Sequence, residues 1–566
     1  MAAHPNPFPI LNPSQKEQRS VGVLRNDASN EYVFAVVGHV GSGTSAIAKE
    51  LHALISERKL ADTFFQVNSL KASGVIGEWA MENGLAVPAS GTAKPKLSKD
   101  VETMQDYGDR MRSAATKDGY ADHAAVARRL IRRIQQKRSE CIGAEYQEGE
   151  VVQPDGKPRA FVLDSIRHPD EVHLLRTLYG DAFILIGVVC EEERRIQRIT
   201  TKYSDAGKDR ALDLMRRDAN AKEKWGQHVE DAFHLADFFV DNTANRVDGK
   251  HWSLPEGLSR LLKIITHSDL VRPTIAETAM FHAFSAKMQS ACLSKQVGAA
   301  VMDAAGNLVA AGTNEAPRAG GGVYGESFDE GDKDDHRCAY FQEPKNRFCR
   351  NTREQFVIIE DLIEKIPQLN QIEGEDREAL RVALQKTRIG GLIEFSRAVH
   401  AEMDALFSAA RQGVSLVGCR LFVTTFPCHY CARHIVTAGI DEVQYIEAYP
   451  KSRATSLHQD SITTESPGWK PPSQGGKQVL FRPFTGVAPG FYRRAFFKDR
   501  ELKDKRTGDI VDMTKVLEPE WTGPWYLPRA GYVEIEATLS KTASPDASIN
   551  QDARPDSSAD STPAIG

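Results

Sequence analysis

His400-Ala401-Glu402 and Pro427-Cys428-His429-Tyr430-Cys431 stand about one helix and one strand apart in the chain. That spacing predicts an α/β unit in which His400 and the Cys428/Cys431 pair each sit at a helix N-terminus. Helix dipoles favour anionic ligands at such positions and help to keep thiols deprotonated. One imidazole and two thiolates are donors that suit Zn²⁺, and three protein ligands leave the fourth tetrahedral position open to water, as a catalytic centre requires. A structural zinc knuckle would usually bring a fourth Cys or His in register and has no use for Glu402; a chance Cys-x-x-Cys beside a buried histidine is the other bland reading. Glu402, two residues past a ligand and not itself one, is placed to carry a proton. His429, between the two cysteines, reads as a packing residue.

A second pattern lies near the N-terminus. Gly38-His39-Val40-Gly41-Ser42-Gly43-Thr44-Ser45 follows an apolar strand and opens a helix, the setting of the G-x-x-x-x-G-K-[ST] phosphate loop. Backbone N–H groups of such a turn can cradle phosphate whatever the side chains. Thr44 stands where that loop carries its lysine, which points to nucleotide binding without turnover, because the lysine charge stabilises a phosphoryl group in transfer. Ala160-Phe161-Val162-Leu163-Asp164 reads as a strand that ends in a Mg²⁺-linked carboxylate, Asp164, and Arg167 follows closely enough to supply positive charge. Arg194, Arg195 and Arg198 form a basic helix face. The plain alternative is a glycine turn in an ordinary α/β domain with surface arginines.

Alternation of apolar runs and helical periodicity organises the rest. Residues 31–245 read as one α/β unit with a parallel sheet, 246–270 as a linker, and 271–540 as a second α/β unit interrupted by a polar insertion at about 315–390. Gly475 to Pro528 reads as a segment that wraps the second unit. Residues 1–30 and 541–566 are polar, aperiodic and expected to be disordered. At 566 residues the chain is too long for one core.

Composition narrows the functional classes. The 72 Lys+Arg against 77 Asp+Glu give a net charge of -5, which argues against a chain built for non-specific polynucleotide binding. Eight cysteines at metal-like rather than framework spacings fit a reducing, cytoplasmic setting, and no apolar run approaches membrane-spanning length.

The H-x-E and P-C-x-x-C pair matches the signature of zinc-dependent nucleobase deaminases. With Leu293-Ser294-Lys295-Gln296-Val297-Gly298-Ala299-Ala300 and Gly312-Thr313-Asn314 it resembles the deoxycytidylate deaminases over about Arg272 to Tyr449. The resemblance implies Zn²⁺ on His400, Cys428 and Cys431. It also implies Glu402 as the proton shuttle to ring N3 and the departing ammonia, and a substrate role for Asn314, a residue that is otherwise common in turns. Lys451 and Ser452, just past the last strand, suit a phosphate, an anchored loop or a solvated one. Some phage deoxycytidylate deaminases carry a second, structural zinc with a Cys near the Cys292 position. That raises Cys292, His336, Cys338 and Cys349 as further ligands, although free cysteines are often small buried hydrophobes.

The order of the two units, with arginines like the lid arginines of nucleoside-monophosphate kinases, resembles the bacterial anti-phage deoxycytidine-nucleotide deaminases. That resemblance implies an enzyme acting on free dCTP or dCMP, a regulatory nucleotide at the phosphate loop, a homo-oligomer, and an inhibitory small RNA as a further partner. Polynucleotide editing and a nucleotide-sensing role without deamination are the competing readings.

Overall fold

Apart from Glu31 at its start, the strand Glu31–Val37 (β1) is a continuous apolar run, and every residue of it is buried. That is the pattern of a parallel strand covered on both faces by helices. The computed structural model describes residues 29–60, 63–88, 97–114, 121–243, 254–325, 335–341, 343–449, 451–498, 502–510 and 531–541. The expected disorder at 1–28 and 542–566 lies outside these residues.

Around β1 stand Gln66–Lys71 (β2), Arg159–Ile166 (β3), Phe183–Val189 (β4) and Phe238–Asp241 (β5), each parallel to its neighbour. The second sheet contains Gly298–Met302 (β6), Leu308–Thr313 (β7), Arg420–Thr425 (β8), Glu442–Glu447 (β9), Ile462–Thr463 (β10) and Val479–Pro483 (β11). Its order is β10-β11-β9-β8-β6-β7. The hairpin β6–β7 is antiparallel, as the sequence predicts, and β8, β9, β11 and β10 run parallel. The fold is therefore mixed α/β in both units.

Helices Thr44–Ser56 (α1) and Ala125–Ile142 (α2) belong to the first unit. The expected linker is in fact a core element. Leu254–Thr266 (α3) buries Leu258, Leu261, Leu262 and Ile265 in the same apolar cluster as Ile47 and Leu51. Its apolar residues recur at helical spacing and need a sheet to cover them; only 244–253 lies outside the described residues here.

In the second unit, Ile275–Lys287 (α4) begins with a reciprocal cap: Glu277 N–H donates to Thr274 Oγ1, and Thr274 N–H donates to the Glu277 carboxylate. Ala401–Arg411 (α5) and His429–Thr437 (α6) carry the metal-site motifs. The polar insertion contains the helices Arg350–Lys365 and Gly374–Gln385, the first with Ile359 and Ile363 buried.

The segment read as a wrapping strip does not stay with the second unit. Gly486–Val487 (β12) pairs antiparallel with Phe238 and Phe239 of β5, so the first sheet runs β12-β5-β4-β1-β3-β2. Phe491 and Ala495 join the first unit's apolar cluster. Tyr532–Lys541 (α7) packs on α2. A boundary at 540 therefore divides the chain in sequence but not in space. Among the described residues no helix is long and apolar enough to cross a membrane.

Candidate active site and phosphate loop

Two close backbone approaches fix the metal-site helices. A Cβ on Gly312 would lie 2.3 Å from Ala401 O, and one on Gly298 would lie 1.9 Å from Ala283 O. Only glycine lets α5 sit directly on β7 and α4 on β6. The Asp404 carboxylate accepts from Thr313 N–H at 3.1 Å, and Glu315 and Val399 exchange backbone hydrogen bonds. These contacts hold the start of α5, and with it His400, against the end of β7.

His400 is the N-cap residue of α5 and Cys428 that of α6, where the Cys428 sulfur accepts from Cys431 N–H at 3.4 Å. Both positions agree with the sequence expectation. His400 Nδ1 lies 3.3 Å from Cys428 Sγ and 3.3 Å from Cys431 Sγ. Bonds of about 2.0 Å to nitrogen and about 2.3 Å to sulfur at a tetrahedral angle put N and S about 3.5 Å apart, so both N–S distances suit one Zn²⁺. The hydrogen bond from the Cys431 thiol, aided by His400, holds Cys428 down at about 4, while burial pushes Cys431 well above the usual thiol range.

Glu402 lies on the first turn of α5 and is 4% exposed. Burial, with the Cys428 charge adding, pushes its carboxyl up to about 7. A carboxyl near neutrality both accepts and returns a proton, which is what general acid–base work demands.

The remaining expected residues fall around this centre. Asn314 is buried, and its side chain spans a turn: Oδ1 accepts from Val297 N–H at 2.6 Å and Nδ2 donates to Lys295 O at 2.6 Å. Ser452 Oγ donates to Pro427 O at 2.7 Å, tying the loop past β9 to the residue before Cys428; Lys451 beside it is exposed. His429 packs its ring 4.7 Å from that of Tyr430.

Cys292, His336, Cys338 and Cys349 are not gathered into a ligand set. Among the described residues the groups of three metal-ligating side chains are His400/Cys428/Cys431 and His123/His168/Asp170. The Cys349 thiol instead meets Ser294 Oγ at 3.5 Å.

Sequence reasoning missed Glu447. At the end of β9 it accepts from Lys287 Nζ at 2.7 Å and from Thr425 Oγ1 at 3.1 Å, and pairs with Lys295 Nζ at 2.6 Å. Its backbone carbonyl accepts from Phe426 N–H, two residues before Cys428. A glutamate closing an apolar strand was the available signal.

In the first unit Gly38 to Gly43 connect β1 to α1, with Gly41 and Gly43 at φ 83° and 87°. Thr44 and Ser45 open α1, and Ser45 Oγ donates to Asp164 Oδ2 at 2.7 Å, so the loop and the β3 carboxylate meet as their order in sequence implies. Asp164 belongs to none of the three-residue metal-ligating groups above. Arg198 donates to Ser42 O at 3.0 Å, and Asn242 Nδ2 donates to the same carbonyl at 2.7 Å.

An α/β unit that presents His-x-Glu and Cys-x-x-Cys on two adjacent helix starts belongs to the class of zinc-binding nucleobase deaminases. Residues 273–447 match the family model described as the cytidine and deoxycytidylate deaminase zinc-binding region. The chain therefore carries a domain of the deoxycytidylate deaminase family, and that family model implies Zn²⁺ at the His400 centre. Deoxycytidylate deaminase of Enterobacteria phage T2 is 28% identical over 186 residues, covering 31% of this chain and 82% of the phage protein. The enzyme of Enterobacteria phage T4 is 28% identical over 180 residues, covering 31% and 80%. The crystal structure of dCMP deaminase from the cyanophage S-TIM5 in complex with dCMP and dUMP is 19% identical. It covers 38% of this chain and 99% of its own, with a TM-score of 0.21.

Proposed function

We propose that the second unit hydrolytically deaminates free deoxycytidine nucleotides, dCTP or dCMP, to the corresponding deoxyuridine nucleotides. The observation that carries this reading is the convergence of His400, Cys428 and Cys431 with the buried, near-neutral carboxyl of Glu402. When bound, Zn²⁺ supplies Lewis-acid activation of a water molecule. Glu402 would take one proton from that water and deliver it to ring N3 as the water oxygen bonds to C4, then move the second proton, from the resulting C4 hydroxyl, to the exocyclic amine as the C4–N bond breaks and ammonia leaves. Burial excludes bulk water from the carboxyl and keeps its proton affinity matched to both transfers.

Asn314 serves the sugar or base and Lys451 the phosphate in this reading, with Ser452 holding the Lys451 loop. The support is position: Asn314 adjoins the Glu315–Val399 bridge beside His400, and Ser452 bonds to the residue before Cys428. In the cell the activity would deplete the dCTP pool during phage infection. The protein is a cytoplasmic homo-oligomer in this reading, with its phosphate-loop unit and a small RNA as regulatory elements.

Zinc-loaded protein incubated with dCTP, dCMP, CTP and a cytosine-containing single strand, with products read by mass spectrometry, tests the proposal. Conversion of a free deoxynucleotide by the wild type and not by Glu402→Ala is the expected result. Conversion of the strand alone, or turnover that survives Glu402→Ala, sinks it.

A further inference from the structure

Besides the His400 centre, a second set of metal-ligating side chains comes together among the described residues. The donor atoms of His123, His168 and Asp170 all lie within 4.8 Å of one another. His168 is the N-cap of the helix Pro169–Tyr179, and Asp170 stands in its first turn. His123 precedes α2, so the cluster joins two segments 47 residues apart in sequence.

The hydrogen bonds around His168 decide which of its nitrogens keeps a lone pair. The residue is 3% exposed. Nε2 lies 3.0 Å from Lys224 O, which can only accept, so Nε2 carries the proton. A buried imidazole whose outer N–H is held by a backbone carbonyl is the arrangement that orients a metal-ligating histidine. The lone pair on Nδ1 accepts from Asp170 N–H at 3.2 Å, at the long end of the range, and that first-turn amide can turn to water instead. Nδ1 lies 3.8 Å from Asp170 Oδ2, and His123 Nδ1 lies 3.1 Å from the same oxygen. Two bonds of about 2.0–2.1 Å at a tetrahedral angle put N and O about 3.3 Å apart, between those two spacings. His228 stands edge-on to His168 at 5.4 Å, but its Nε2 donates to Glu223 O at 2.9 Å and its Nδ1 faces Asp231 at 3.6 Å, so it walls the cluster without joining it.

We propose that His123 Nδ1, His168 Nδ1 and one Asp170 oxygen form a second Zn²⁺ site, its fourth position left to water, that clips the segment before α2 to the start of the helix Pro169–Tyr179. Two neutral imidazoles and one carboxylate suit Zn²⁺, whereas Ca²⁺ and Mg²⁺ take oxygen donors throughout. A helix start disfavours a cation, and the Asp170 carboxylate offsets it. On binding, the ion takes the place of the proton between His123 Nδ1 and Asp170, and that proton moves to His123 Nε2. The site shares no residue with the His400 centre, and the inference stands whether or not deamination is observed.

Full-length protein stripped with a chelator, re-equilibrated with micromolar free Zn²⁺ and counted for bound metal by mass spectrometry tests it. His123→Ala and Asp170→Asn are each expected to hold one equivalent less than the wild type. The affinity of the missing equivalent should fall by at least about a hundredfold, the upper end of what losing an outer-shell partner alone costs. Cys428→Ala should keep the equivalent that those two variants lose. Should His123→Ala fold poorly, Asp170→Asn decides, because its side chain is half-exposed. The proposal is overturned if the wild type binds no zinc, or if either folded variant holds as much zinc as the wild type.

Discussion

Arg138 and Glu536 form a fully buried ion pair at 2.7 Å across 398 residues of sequence. Arg138 on α2 also grips Glu31 at 2.6 Å, and Tyr179 donates to Glu536 at 2.6 Å, so α7 is riveted to the first unit through one guanidinium. Arg138→Ala would leave the buried Glu536 carboxylate without a cation and Glu31 with Arg159 at 3.5 Å as its cation; removing one partner of a buried pair typically costs about 3–5 kcal/mol. The transition of the first unit in urea is expected to move down accordingly. An unmoved transition would mean that α7 does not dock there.

Glu402→Gln keeps the size of the side chain and removes its proton affinity. Deamination should fall by about 10²–10⁴-fold, while metal content read by mass spectrometry stays at the wild-type level. Cys428→Ala should do the reverse first, losing metal and, in consequence, activity. Equal metal loss in both variants would make Glu402 a ligand and discard its role as shuttle.

Gly312→Ala places a methyl group 2.3 Å from Ala401 O, so α5 must move away from β7 and carry His400 with it. Weaker zinc retention against a chelator is the expected readout, together with a loss of about 1–3 kcal/mol from overpacking. A variant with wild-type zinc affinity would show that α5 shifts without disturbing the ligands.

Burial raises the Glu447 carboxyl, but Lys287 and Lys295 outweigh it and bring it from 4.5 to about 2. A depressed folded-state value means stability that is fully present above about pH 4.5 and lost as pH falls through about 2, in total about 3 kcal/mol. Acid unfolding of Glu447→Gln should therefore lack that part of the slope between pH 4.5 and 2. A profile of unchanged steepness would remove Glu447 from the acid limb.

Both site motifs were legible because their chemistry needs residues close together in sequence. His-x-Glu and Cys-x-x-Cys need only a helix start each, and Gly38 to Ser45 need only a strand before and a helix after. Asn314 was legible as a residue after β7 but not as the clamp of the turn at Lys295 and Val297, because its partners lie just before β6, at the far side of the hairpin. Leu254–Thr266 was missed as core because a linker was expected between two periodic units, and its apolar face acquires meaning only against Ile47 and Leu51.

Local periodicity and motif spacing by themselves determined the mixed α/β fold, the gathering of His400, Cys428 and Cys431 at two helix starts with Glu402 on the first turn, and a glycine-rich turn between a strand and a helix. Tertiary structure alone decided that β12 completes the first sheet, that Glu536 is buried under Arg138, and that Glu447 collects two lysines. The physical reason is range. Hydrophobic periodicity and helix capping are set by residues a turn or two apart, whereas strand pairing, ion-pair burial and cavity walls join residues whose separation in sequence carries no trace of their contact.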